Sequence, residues 1–247
     1  ARAVHTWAEV YHLKAAGEAN WPKMAQAIAK IEAARKDGLA ITANMYAYTA
    51  GATGLDAAMP PWVQEGGHEA WAARLKDPKI RAKLREEIAK PADAWENWYV
   101  AAGTPDRILL IGFKNEALKK YTGKSLAAIA AERGTPPIDT MMDLVIKDGS
   151  RISTAYFVMG EDNVRLGLSQ PWVSLGSDEE AQAPEGVFLK SNPHPRAYGN
   201  VARFLGHYAR DGKLMNVADA VRRLTSLPAV NFRLKDRGCI APGCFAD

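Results

Sequence analysis

Two short segments decide the fold: AEVYHLK at residues 8–14 and LAITANMY at residues 39–46. Both are typical of short strands bounded by turn-forming residues. Between them, residues 22–36 predict a helix with Pro22 in its first turn, and Gly38 ends it. The apolar face of this helix carries Met24, Ile28 and Ile31. The order strand, helix, strand is typical of a parallel βαβ unit, in which residues at the carboxyl ends of the strands carry the chemistry.

The rest of the chain resumes this order only after a long interruption. Residues 152–158 and 172–178 predict a third and a fourth strand, and helices follow the fourth. The region between the second and third strands is too long for a barrel connection, so we interpret it as an insertion folded over the strand ends. We therefore predict an α/β fold: a partial (β/α)8 TIM barrel with a long, mainly helical, lid-like insertion. The predicted segments are 1–48 and 151–247 for the barrel and 49–150 for the insertion.

Composition excludes several classes of protein. With 47% hydrophobic and 24% charged residues the chain is not a disordered polymer, and no run approaches the ~20 apolar residues of a membrane span. The net charge of +4 is too small to predict nucleic-acid binding, and the basic residues within 76–85 precede Glu86 and Glu87, as on a solvated helix face. Cys239 and Cys244 are too few for a disulfide scaffold, and their spacing matches no zinc pair. We expect a reducing compartment, and hence a cytoplasmic protein.

Polar residues follow three of the predicted strands: His12, the pair Asn44 and Tyr46, and Asp178. A histidine and an aspartate at the carboxyl ends of parallel strands can converge over a barrel mouth. Such a pair suits a hydrolytic metal site, where imidazole binds zinc and the carboxylate handles the proton of the attacking water. The residues alone leave two plainer interpretations open: a hydrogen-bonded structural histidine, and an aspartate that caps the next helix.

A further candidate is the loop around His194 and Arg196. Pro193 and Pro195 flank the histidine and rigidify the backbone just before a predicted helix. The planar guanidinium of Arg196 can bind a carboxylate through parallel hydrogen bonds. A surface ion pair within the loop is the alternative.

Five short motifs occur in order along the chain. They are YHLKAAG at 11–17, YAYTAG at 46–51, GSD at 176–178, and HPR followed by Tyr198-Gly199 at 194–199. The fifth is a closing motif between 236 and 247, made of the strings DRG, APG and FAD. Together they resemble the D-aminoacylase (N-acyl-D-amino-acid deacylase) family of the amidohydrolase superfamily. In the second motif Ala47 stands where the family has proline.

The resemblance implies a set of site residues. His12 corresponds to the zinc ligand of barrel strand five. Asp178 corresponds to the strand-eight aspartate, a metal ligand and the general base and acid of the reaction. Arg196 corresponds to the arginine that binds the substrate α-carboxylate. Tyr46 and Thr122 belong to segments that resemble substrate-binding parts of the family. The resemblance further implies barrel strands five to eight and one or two zinc ions in the intact enzyme.

The chain also departs from the family pattern. The His-x-His motif of strand one and the cysteine or acidic ligand near it are expected before Ala1. Asn44 and Tyr46 occupy the stretch where a second strand-derived histidine is expected, and His68 is only a remote substitute. The family chain continues beyond the position of Asp247. We therefore expect a C-terminal fragment with an incomplete zinc ligand set, inactive alone, which pairs with the missing N-terminal half of the barrel or with itself.

The function predicted from the sequence is metal-dependent hydrolysis of the amide bond of N-acyl-D-amino acids. The expected partner is this small-molecule substrate, with no nucleic acid and no membrane. Two alternatives stay open. One is a cyclic amidase of the hydantoinase or dihydroorotase type, and the other is a non-catalytic half-barrel that serves as a binding module.

Overall fold

The computed structural model describes residues 6–190 and 192–246, with the side chain of residue 190 left out. Its strands are β1 (Ala8–Val10), β2 (Ile41–Met45), β3 (Gly51–Gly54), β4 (Ile108–Gly112), β5 (Lys124–Ser125), β6 (Ser153–Tyr156) and β7 (Val173–Leu175). Its α-helices are α1 (Lys23–Lys36), α2 (Pro61–Gln64), α3 (Gly67–Lys76), α4 (Pro78–Ile88), α5 (Trp98–Ala102), α6 (Leu126–Arg133), α7 (Pro137–Asp148), α8 (Glu161–Leu168), α9 (Arg196–Arg203), α10 (Val217–Leu224) and α11 (Ser226–Asn231). The α/β class is confirmed. None of the described helices has the length and apolar character needed to cross a membrane.

A parallel sheet with the strand order β1-β2-β7 positions the candidate site. Ala43 on the central strand is in register with Val10 on one side and with Val173 on the other. Helix α1 provides the crossover from β1 to β2, and it buries Met24 and Ile28. Because all three strands run the same way, the segments that follow them emerge at one edge of the sheet.

One predicted barrel strand belongs elsewhere. The segment 152–158 forms β6, which pairs antiparallel with β3 and β4 in a second sheet of order β3-β6-β4-β5. Within the described residues the parallel sheet therefore has three strands. The prediction of four barrel strands was wrong, because the predicted third strand, residues 152–158, lies in the other sheet. The pattern of residues 152–158 indicates a strand but contains no information about its partner. That partner is β3, which follows β2 closely in sequence and pairs with β6 in the second sheet.

The antiparallel sheet packs with helices α2 to α7, and its strand β6 lies beyond the predicted end of the insertion at residue 150. The helices bury a large apolar set against the sheet: Val63, Trp71, Leu75, Leu84, Ile88, Leu126, Ile129, Met141, Leu144 and Val145. The basic face predicted at 76–85 is engaged within the chain, since Arg81 and Arg85 each lie 2.8 Å from a carboxylate oxygen of Asp139 on α7. Hydrogen bonds from Arg85, and then from Arg81, lower the pKa of Asp139.

The helices after β7 cover the parallel sheet. Helix α9 continues into a wider π-type turn over Phe204–Asp211, and α10 follows it. The buried Arg223 of α10 donates to the backbone oxygens of Leu168 and Gln170, and it forms an ion pair with Asp219 at 2.6 Å. These contacts fix α10 to the segment between α8 and β7.

The second sheet can be tested at Tyr156, a fully buried residue whose hydroxyl donates to the backbone oxygen of Gly54 over 3.0 Å. We expect Tyr156→Phe to lower the free energy of unfolding by about 1 kcal/mol, because the carbonyl loses its buried donor. Tyr198→Phe, at an exposed position on α9, is the matched control and should stay within about 0.5 kcal/mol of the parent. Equal effects in urea unfolding would contradict the β3–β6 pairing.

Candidate active site

The segments that follow the three parallel strands surround a cavity of about 1480 Å³. His12 and Lys14 after β1, Tyr46 after β2, and Asp178 after β7 line it together with Arg196 at the start of α9. Four predicted site residues therefore face one cavity. The fifth, Thr122, does not line it and lies beside β5 of the second sheet.

His12 is held by its backbone. Its N–H donates to Oδ1 of Asn44 over 2.9 Å, and its φ of 40° lies in the left-handed region, which is costly for a residue with a Cβ. Asp178 shares this feature, with a φ of 53°. Strained backbone of this kind is concentrated at functional sites. Asn44, which stands where a second histidine ligand was expected, thus positions His12 through an amide oxygen.

Lys14 is a cavity residue that the sequence reasoning missed. Its ammonium nitrogen lies 2.8 Å from Nδ1 of His12 and 5.3 Å from the centre of the Tyr46 ring. Burial lowers its pKa from 10.5 to about 8; Asp178 opposes this shift and Arg196 adds to it. In the sequence, only its place within the motif YHLKAAG indicated that Lys14 belongs to the site. Its spacing from other charged residues along the chain did not indicate this.

Arg196 lies at the centre of an ion-pair cluster. It is only 4% exposed, and its Nη1 lies 3.0 Å from Oδ2 of Asp178. Nε donates to Oε1 of Glu179 over 3.1 Å, and Nη2 donates to the backbone oxygen of Asp178 over 2.7 Å. The guanidinium carbon stacks 4.5 Å from the centre of the Tyr46 ring. Glu179 is a second partner that the sequence reasoning did not identify, and burial raises its pKa.

Tyr46 and His194 complete the wall around this guanidinium. Burial, the largest cause, raises the pKa of the Tyr46 phenol to about 12. Nδ1 of the buried His194 accepts a hydrogen bond of 3.0 Å from the backbone N–H of Arg196. Burial and then the charge of Arg196 lower the pKa of His194 to about 4, so its ring is neutral near pH 7. This histidine shapes the turn that leads into α9.

Asn200 joins two of the loops. Its Oδ1 accepts from the N–H of Ala47 over 2.8 Å, and its Nδ2 donates to the backbone oxygen of Gly176 over 2.9 Å. A proline at position 47 would have no N–H to donate, so this hydrogen bond requires a residue other than proline there, such as Ala47. Gly176 also allows Asn44 to approach, because a Cβ at this position would lie 3.0 Å from Oδ1 of Asn44.

The described residues do not provide a complete zinc site. Among them no group of three or more histidine, cysteine, aspartate or glutamate side chains is close enough to hold a metal ion. Nδ1 of His12 is in contact with Lys14, and the Asp178 carboxylate is paired with Arg196. His68 packs edge-on against Trp71 in the insertion and does not line the cavity. The assignment of His12 and Asp178 as zinc ligands stays a prediction.

The chain is similar to known proteins in sequence and in fold. A scan of the chain against known family models finds no match. The chain is 35% identical over 178 residues to a D-aminoacylase of Alcaligenes xylosoxydans xylosoxydans, covering 69% of this chain and 34% of the relative. It is 28% identical over 236 residues to an N-acyl-D-glutamate deacylase of the same organism, covering 96% of this chain and 37% of the relative.

Two solved structures agree with this relation. One is the N-acyl-D-glutamate deacylase of Bordetella bronchiseptica, complexed with zinc and a phosphonate inhibitor, with a TM-score of 0.70 and 26% identity. Another is a crystal structure of D-aminoacylase, with a TM-score of 0.67 and 27% identity. Each covers 100% of this chain and 40% of the solved chain. This chain belongs to the D-aminoacylase family.

The chain corresponds to only part of the length of its D-aminoacylase relatives. The chain spans between 34% and 40% of the length of the relatives named above. Within that part, the D-aminoacylase motifs YHLKAAG, YAYTAG, GSD and HPR meet at the cavity, although they are far apart in sequence. All four motifs therefore supply residues to one cavity.

The role of Asn200 at this cavity can be tested by measuring the free energy of unfolding. We expect Asn200→Ala to lower the free energy of unfolding by about 1–3 kcal/mol, because it leaves a buried N–H and a carbonyl without their partner. The control is Val201→Ala, at an exposed neighbouring position on α9, with an expected change within about 0.5 kcal/mol. Unfolding curves in which both variants match the parent would contradict this role.

The charge of Lys14 provides a second test. Its pKa of about 8 means that the amine carries its proton below pH 8 and loses it above. A titration of the labelled lysine by NMR should place the midpoint well below that of an ordinary lysine. Asp178→Asn should lower the midpoint further, because it removes the charge that favours the ammonium form. A midpoint near 10.5, or one that rises in Asp178→Asn, would contradict this geometry.

Proposed function

We propose that the intact protein hydrolyses the amide bond of N-acyl-D-amino acids and that this chain supplies the part of the active site around Asp178. The observation that carries the proposal is the position of Asp178 beside Lys14 and Arg196 at one cavity. Relatives of this chain are named as D-aminoacylase and as deacylases of N-acyl-D-glutamate and N-acyl-D-aspartate. A carboxylate close to two cationic side chains suits a substrate that carries both an amide and a negative charge.

The cationic wall would bind the α-carboxylate of the substrate. Arg196 is fixed by Asp178, Glu179 and the Tyr46 ring, so it contributes positive charge from a rigid position. The Lys14 ammonium lies beside the same ring and contacts Nδ1 and the backbone oxygen of His12. We assign the direct contact with the carboxylate to Lys14 and Arg196 together. Rigid placement limits the entropy cost of orienting the substrate.

Asp178 would act on the proton. The resemblance gives this aspartate the role of general base toward the attacking water and of general acid toward the departing nitrogen. Its ion pair with Arg196 holds the carboxylate at the cavity wall. General acid–base catalysis of this kind contributes typically 10²–10⁴-fold to a rate.

Zinc belongs to the proposed function of the intact enzyme. We propose His12 and Asp178 as the share of its ligands that this chain contributes. The remaining ligands would come from a further polypeptide segment, either the N-terminal half of the barrel or a second copy of the chain. The structure supports such a partner, because β1 and β7 are edge strands of the parallel sheet among the described residues. An unpaired edge is a ready site for strand addition.

Metal analysis and a deacylase assay on this chain test the partner requirement. We expect substoichiometric zinc after dialysis and no turnover of N-acyl-D-amino acids, since catalytic zinc sites usually take three protein ligands. Both properties should be gained when the complementary half-barrel of the intact protein is added. Stoichiometric zinc with turnover by the chain alone would overturn the requirement for a partner.

Asp178→Asn in the intact, zinc-loaded enzyme tests the reaction itself. We expect kcat to fall by about 10²-fold or more. The zinc content of the variant, measured alongside, shows whether loss of the metal contributes to this fall. Glu180→Gln, two positions further along the loop, is the control and should retain kcat. An unchanged kcat in Asp178→Asn would favour a binding module.

A panel of N-acyl-D-amino acids and hydantoins separates deacylase from cyclic amidase, and none of the relatives named above is a cyclic amidase.

A further inference from the structure

Two cysteines outside the cavity face each other near the end of the described chain. Sγ of Cys239 lies 2.7 Å from Sγ of Cys244, and both are free thiols. Cys239 is exposed and Cys244 is half-buried. Ile240 between them is fully solvent-exposed. The pair is therefore accessible to small solutes, and its sulfur atoms are already in contact.

The backbone around this pair forms a closed loop, the cysteine turn (residues 236–245). The N–H of Phe245 donates to the backbone oxygen of Asp236 over 2.8 Å, which joins the two ends of the turn. Gly238 and Gly243 adopt left-handed φ values of 76° and 88° next to the cysteines. Glycine takes this conformation at little cost, so the two positions next to the cysteines add no strain from a Cβ, whereas Asp236 at the start of the turn has a left-handed φ of 57°.

The cysteine turn also has a fixed position on the fold. A Cβ at Gly238 would lie 2.8 Å from both Cβ of Ala229 and the backbone oxygen of Thr225, so the turn packs closely on the start and middle of α11. The guanidinium of Arg237 covers the ring of Phe245 at 4.6 Å from its centre. A metal role is not supported, since the described residues add no third ligand to the two thiols.

We propose that Cys239 and Cys244 form a reversible intrachain disulfide by exchange with a small disulfide such as oxidised glutathione. The Cys239 thiolate attacks one sulfur of the small disulfide, forms a mixed disulfide and releases one thiolate. The Cys244 thiolate then attacks the Cys239 sulfur and releases the second. Two protein thiols are oxidised, one small disulfide is reduced to two thiols, and the two protons go to the released thiolates.

The order of these steps follows from the environment of each thiol. Cys239 is the more exposed of the two, so it meets the small disulfide first. The hydrogen bond with Cys239 is the largest cause of a raised pKa at Cys244. Cys244 therefore suits the second step, which is intramolecular and is accelerated by the short distance between the two sulfurs.

The test is thiol mapping of the native chain. The reduced chain is equilibrated with oxidised glutathione, the remaining thiols are alkylated, and the digest is analysed by mass spectrometry. Trypsin cleaves after Arg237, so both cysteines lie in one peptide, residues 238–247. We expect this peptide to carry no alkyl group, to be lighter by two hydrogens, and to return to the dithiol with dithiothreitol. Two alkylated cysteines, two glutathione adducts, or a link to a second chain would each overturn the proposal.

Three variants separate a preformed turn from chance pairing. Cys239→Ser and Cys244→Ser should each accumulate a glutathione adduct and no internal disulfide. Gly243→Ala strains only the backbone, because nothing lies within 4 Å of its added Cβ. We expect it to lower the equilibrium constant for disulfide formation by about fivefold or more, since left-handed φ is costly for alanine. An unchanged constant would show that the turn does not hold the thiols and would overturn the proposal.

Discussion

The buried guanidinium of Arg196 is the contact on which the cavity depends. A desolvated cation is tolerated only with well-placed anionic and hydrogen-bonding partners, and Asp178 and Glu179 both supply them. These contacts fix the loop after β7 to the start of α9, and the stacked ring of Tyr46 adds the loop after β2. The chain therefore assembles three separate segments around one charge. The residue that holds the wall together is also one of its two cationic side chains, the other being Lys14.

Neutral amide side chains extend this arrangement. Asn44 fixes the backbone of His12, and Asn200 connects Ala47 to Gly176. Each amide uses both its acceptor and its donor, so it can join segments that approach from opposite sides. Asn44 donates to the Glu9 carboxylate, and Asn200 contacts two backbone groups, so none of these hydrogen bonds involves Arg196. The cavity rim is thus stabilised by hydrogen bonds, and its potential is set by the charged groups.

Much of the site could be predicted from the sequence, and the reasons are local. Pro22 and Gly38 bound α1, which predicted the βαβ unit correctly. His12, Asp178 and Arg196 belong to short motifs, and the structure brings all three to one cavity. Each motif could be recognised locally in the sequence, although the residues that it supplies meet residues of distant motifs in the fold.

The remainder depended on contacts that no local pattern records. The strand at 152–158 was correct as a strand and wrong as a barrel strand, because its antiparallel partner β3 lies about a hundred residues away. Glu179 and Lys14 were missed because their importance comes from proximity to Arg196 and Tyr46 in space. Thr122 was placed near the substrate by resemblance, whereas the fold puts it beside the second sheet.

The central claim is that Lys14 and Arg196 form a wall that binds the carboxylate of an N-acyl-D-amino acid. NMR titration of the chain tests it, with the side-chain nitrogens of lysine and arginine labelled. The ligands are an N-acetyl-D-amino acid and its methyl ester, which differ in the negative charge. We expect the acid to shift the Lys14 and Arg196 resonances and the ester to leave them unchanged. Equal responses to both ligands, or none at these two residues, would contradict it.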